Sequence, residues 1–134
     1  MMRAILIDAV EKTVTEIDMD GKLQSLYRLL GCNLVEAVEL DDRHSLWVDE
    51  EGLMVENPGP FFAFKGGERP YPFKGVILGD NHQTGSNTDA VVPLDVVQSV
   101  IEWPDVEFAG FEEINEPGIL YGVRAAFRDK GADE

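Results

Sequence analysis

The 134 residues carry 11 Lys and Arg against 26 Asp and Glu, a formal net charge of −15, with 44% apolar and 28% charged side chains. That composition fits a chain that folds on a core rather than a disordered one, and it argues against direct nucleic-acid binding, which depends on cations meeting phosphates. A single cysteine, Cys32, excludes an internal disulfide and a cysteine-based zinc site and favours a reducing compartment, so a cytoplasmic location is expected.

The length suits one domain over residues 1–134, with 128–134 expected to fray as a tail. In "MMRAILIDAV" the apolar run is cut by Asp8 and is too short for a signal segment or a membrane span, so no membrane partner is expected.

In chain order, "RAILID" at 3–8 and "TVTEIDM" at 13–19 flank "AVEK" and predict an antiparallel hairpin. Asp20 as an N-cap, Leu23, Leu26, Tyr27 and Leu30 at helical spacing, and Gly31 as the stop predict a short amphipathic helix. Residues 34–40 and 45–49 predict a second hairpin around "DDRH", and "ENPGP" excludes regular structure. The stretch "FFAFKGGERPYPFK", 61–74, sets five aromatics around two prolines and is expected to be neither a central strand nor a helix interior.

"GVILG" at 75–79 predicts a strand buried on both faces, and the small polar residues from 80 to 89 predict a loop. "PLDVVQSVIEW" from Pro93 predicts a second helix, with Leu94, Val97 and Ile101 on one side, ended by Trp103-Pro104. Residues 106–111 and 118–123 predict two final strands. The sum is an α+β fold, a mostly antiparallel twisted sheet with two helices packed on it.

No complete catalytic constellation follows. Asp42-Arg43-His44 and the strand-end Asp80 superficially resemble parts of metallophosphoesterase motifs, but His44 and His82 are the only histidines, too few for a two-metal centre. Cys32 sits among apolar neighbours and reads as an inert thiol. No G-x-S-x-G elbow and no glycine-rich phosphate loop is present. Catalytic residues, metal and cofactor are therefore all expected to be absent.

Two binding readings follow instead. Between Lys74 and Arg124 no cation interrupts the carboxylates, and Glu102, Asp105, Glu107, Glu112, Glu113 and Glu116 are expected to face a protein partner with a basic surface. One version is DNA mimicry, in which they occupy the phosphate-reading groove of a DNA-binding protein. The alternative is a small-ligand-binding domain or enzyme with a pocket between the aromatic segment 61–74 and the 80–89 loop, where Lys65, Arg69, Asp80, Asn81 and His82 converge on the ligand. The first, a non-catalytic acidic accessory protein, is the leading expectation.

Three stretches also carry a family resemblance. "RAILIDAVEKTVTEIDMDGKLQSLYRLLGCNLVEAVEL", "LWVDEEGLMVENPGPFFA" and "FKGVILGD" resemble the opening hairpin, helix and strand, the acidic turn with its Asn-Pro, and the late strand of a domain-of-unknown-function family. Its members are small proteins of bacteria, phages and plasmids. The likeness runs from Arg3 to about Asp80, with an extension toward Ile101, and departs at "GGERPYPFKG" and beyond Trp103. It implies a mobile-element setting and brings no activity with it.

Overall fold

The computed structural model describes residues 1–67, 69–81, 83–114 and 122–130. The first two apolar runs form β1 (Met2–Asp8) and β2 (Thr13–Met19), paired antiparallel with Ile7 opposite Val14 and Ala4 opposite Ile17. Asp8 closes their turn, its Oδ1 accepting the N–H groups of Val10 at 2.9 Å and Glu11 at 3.1 Å.

The helix α1 (Leu23–Leu30) ends as expected at Gly31, in the left-handed conformation at φ 67°, with the Cys32 N–H returned to the Tyr27 carbonyl. Its start differs from expectation. Lys22, not Asp20, is the N-cap, and it makes no side-chain cap bond. Asp20 stands two residues earlier, where its Oδ1 accepts the Lys22 N–H at 2.8 Å, because Gly21 lets the chain turn before the helix begins.

The second hairpin is present as β3 (Val35–Glu39) and β4 (His44–Asp49). After the proline-rich turn come β5 (Phe61–Phe64), β6 (Tyr71–Pro72), β7 (Lys74–Asn81), β8 (Ser86–Thr88), α2 (Leu94–Val100), β9 (Ile101–Glu102), β10 (Val106–Glu113) and β11 (Val123–Asp129). Among the described residues every strand pairing is antiparallel. The main sheet runs β2-β1-β7-β4-β3 with β8 also on β7, a small sheet runs β6-β5-β9, and β10-β11 form a ribbon. The fold is α+β and dominated by its sheets.

Four boundaries correct the sequence reading. Phe61–Phe64 is the middle strand of the small sheet, because Pro70 precedes β6 and Pro72 lies on that edge strand, where a missing N–H is harmless. Residues 80–89 are largely a hairpin, with Asp80 paired to Asn87 and Asn81 to Ser86. The second helix stops at Val100, and Ile101–Glu102 turns extended to pair with β5. The last strand begins at Val123 and carries its pairing through Asp129, while 118–121 lie outside the described residues.

β7 is buried on both faces, as its unbroken apolar run requires. One face, with Ile5, Ile7, Leu46, Val48 and Ile77, packs under Phe62 and the Val97 side of α2. The other, with Ala4, Val76 and Leu78, packs under Leu26 and Leu30 of α1, each leucine contributing on the order of 2 kcal/mol by burial. Phe62 seats on bare backbone: a Cβ at Gly75 would meet its ring at 2.7 Å. Among the described residues no helix is long and apolar enough to cross a membrane.

Candidate functional site

A cleft of about 540 Å³ opens between α2, the β3–β4 turn and the aromatic strand. Alternation on edge strand β3 places Val38 and Leu40 on the Phe62 face, where they form one wall. Phe64 and Tyr71 form a second, Val92, Val96, Val97 and Val100 a third, and Ile77 of β7 lies beneath. Mostly apolar walls and a volume of several hundred Å³ are the usual attributes of a small-molecule site.

His44 is buried in the base of this cleft. Its Nε2 accepts the backbone N–H groups of Val91 at 3.0 Å and Val92 at 3.3 Å, so that nitrogen is unprotonated. The proton is therefore on Nδ1, which donates to Asp41 at 3.0 Å to Oδ1 and 3.2 Å to Oδ2. Burial opposes ionisation of Asp41, but the Arg43 N–H and the His44 ring outweigh it and hold the carboxyl below its ordinary value. With both ring nitrogens engaged, His44 has no lone pair left for a metal or for proton abstraction.

The next residue, Ser45, points to the opposite face by strand alternation, where its Oγ donates to Asp80 Oδ2 at 2.9 Å. Asp41, His44 and Ser45 therefore do not converge as a nucleophilic triad. Arg3 fixes the same wall from the other side, its Nη1 donating to the carbonyls of Ala90 at 2.8 Å and Val92 at 2.9 Å while Nε pairs with Glu16.

Arg69 supplies the charge. Its guanidinium carbon lies 4.5 Å from the Tyr71 ring centroid, and Tyr71 stacks in turn on Phe62 at 5.5 Å. Arg69 Nη2 is 3.8 Å from Glu36 Oε1, and Nε is buried without a hydrogen-bond partner among the described residues.

Among the described residues expected to line a two-loop pocket, only Arg69 lines the cleft. Lys65 is exposed beside it and bonds through its backbone N–H to Val100. Asp80 is bound to Ser45, and Asn81 Oδ1 caps the turn by accepting the Gln83 N–H at 3.0 Å. His82 lies outside the described residues. The aromatic segment thus lines a cleft with α2 and the β3–β4 turn. His44, considered in the sequence only as a metal ligand, is the residue whose structural role was missed; its place between a turn aspartate at i−3 and an apolar strand was the available signal.

Of the acidic set, Glu102, Asp105 and Glu113 are exposed, while Glu107 and Glu112 are ion-paired across the ribbon with Arg128 and Arg124. Glu116 lies outside the described residues. Cys32 is half-buried, and burial pushes its thiol up.

No solved structure matches the chain. A stretch of 42 residues is 45% identical to the uncharacterized protein y4iR of Sinorhizobium fredii (strain NBRC 101917 / NGR234), covering 31% of this chain and 26% of that protein. The chain therefore matches about a quarter of that bacterial relative's length. The family model described as "Domain of unknown function (DUF3846)" matches residues 2–103, which include every residue of the cleft and exclude the β10–β11 ribbon. On that match the chain belongs to the DUF3846 family.

Proposed function

We propose that the chain is a non-catalytic binding module whose cleft between α2 and the aromatic strand takes a small, largely apolar ligand. The observation that carries this reading is the 540 Å³ cleft walled by valines, Phe64 and Tyr71 within the family-matched span. The engagement of both His44 nitrogens and the turning away of Ser45 support binding rather than turnover. The test is a fluorescence titration with N-phenylnaphthylamine, an uncharged apolar probe. Saturable binding at one site is expected, and Val96→Trp, which places a large ring at the mouth from an exposed position of α2, is expected to remove it. Non-saturable binding, or binding indifferent to that substitution, rejects the reading.

A second reading keeps the acidic surface. Its support is the exposure of Glu102, Asp105 and Glu113 on β9, β10 and their connection, in a chain of net charge −15. The partner would be a protein with a basic surface, in the sharpest form a DNA-binding protein met by mimicry of phosphates, in the cytoplasm of a cell carrying a mobile element. Reversal of these three charges is expected to abolish salt-sensitive capture of such a partner; undiminished capture removes the idea.

A further inference from the structure

We infer that the ligand of the cleft is an anionic amphiphile, an apolar body whose carboxylate, sulfonate or similar head is seated on Arg69. The inference rests on the cleft reading above and adds the ligand's charge class. Arg69 is the one cation among the described residues that line the cleft. Its guanidinium carries five N–H donors, and its ion-pair partner among the described residues, Glu36, stands 3.8 Å away, longer than a hydrogen bond. Among the described residues the Nε donor is buried without a partner, while the side chain as a whole is 38% exposed and so within reach of a ligand. The Phe62–Tyr71 stack beneath holds the guanidinium in place, which lowers the entropy lost when an anion binds.

The acidic groups nearby do not favour a cation. The Asp41 carboxylate already accepts from the Arg43 N–H and the His44 ring, and Glu39, which also lines the cleft, is exposed to solvent. His44, protonated on Nδ1 alone, adds no charge. Arg69 therefore offers its donors to an anion in competition with Glu36, its 3.8 Å ion-pair partner on the Val38 face of β3.

The test compares two probes with the same fused-ring body, anilinonaphthalene sulfonate and the uncharged N-phenylnaphthylamine, on the full chain with near-UV circular dichroism as the folding control. The sulfonate is expected to bind about tenfold more tightly, the usual weight of a charge-assisted hydrogen bond. Arg69→Gln is expected to erase that preference, the two probes then binding the variant with equal affinity. Arg69→Lys, a point charge without the fork, should recover part of it. The chain's charge of −15 repels anions at long range, so such a preference reports the local guanidinium. Equal affinities in the native chain, or a preference that survives Arg69→Gln, overturn the inference and leave the cleft reading standing. Failure of the neutral probe to saturate, or its indifference to Val96→Trp, overturns the cleft reading and the inference with it.

Discussion

His44 Nε2 lies 3.0 Å from the amide nitrogen of Val91, so an imidazole on a central strand fixes the segment that walls the cleft. The same nitrogen takes the Val92 amide, and the ring's other side holds Asp41. His44→Ala would leave two backbone donors and a carboxylate without their partner. The expected cost is about 3 kcal/mol, read as a lower urea midpoint at unchanged slope, together with weakened probe binding as the 91–92 wall loosens.

Arg3 holds that wall from the opposite side, with Nη1 on the carbonyls of Ala90 and Val92 and its own backbone N–H on Asp89 Oδ1 at 2.7 Å. Lysine at this position keeps the charge but not the planar fork that serves two carbonyls and Glu16 together. Arg3→Lys is expected to destabilise by about 1 kcal/mol by urea denaturation, with Arg3→Ala costing more.

Asp41 gives the acid side of the stability curve a component of known sign. Its folded carboxyl is held below the unfolded value, so its contribution is present above the ordinary carboxylate range and is lost as the pH falls through the folded value. Asp41→Asn keeps an acceptor for His44 but removes the charge. The variant is expected to be the less stable protein at neutral pH, with the gap closing below the carboxylate range. Parallel urea midpoints across that range would show a constant gap if Asp41 did not contribute in this way.

The elements built from local pattern were legible in the sequence: the two hairpins, the Gly31 helix stop and the doubly buried β7 each follow from apolar runs and turn residues within a dozen positions. The cleft was not, because it joins Val38, Arg69 and Val96 across two sheets, and nothing local says that the Phe61–Phe64 strand seats on the bare backbone of Gly75. Asp80 and Arg69 were grouped by nearness in the chain, yet the period of β7 sends the aspartate to Ser45. The ion pairs within the acidic stretch were hidden for a related reason. Antiparallel pairing brings Arg124 and Arg128 back across Glu112 and Glu107, and a linear scan of charges does not see the partner strand.

Gly79 and Gly31 separate two reasons for a glycine. At Gly79 a Cβ would collide with the Asp89 carbonyl and the Thr88 hydroxyl, atoms held by the β7–β8 pairing. Gly79→Ala is expected to cost about 3 kcal/mol through displaced backbone. At Gly31 a Cβ meets nothing within 4 Å, and the burden is φ 67° alone. Gly31→Ala should cost about 1 kcal/mol. Thermal or urea unfolding of the two variants distinguishes crowding from conformation; equal costs would contradict this assignment.

Phe127 couples the ribbon to the remainder of the fold. Its ring meets Phe61 edge-on at 5.5 Å and Phe108 at 5.9 Å, while the ion pairs Glu107–Arg128 and Glu112–Arg124 link the ribbon's own strands. Of these, the Phe61–Phe127 ring contact is the one that leaves the ribbon, toward β5. Phe127→Ala is expected to lower stability by about 2 kcal/mol and to speed proteolysis of β10 and β11 selectively. Because the cleft lies wholly within residues 38–100, the neutral probe should still saturate at its native affinity. Loss of probe binding in this variant would mean that the ribbon, although outside the family-matched span, helps to shape the cleft.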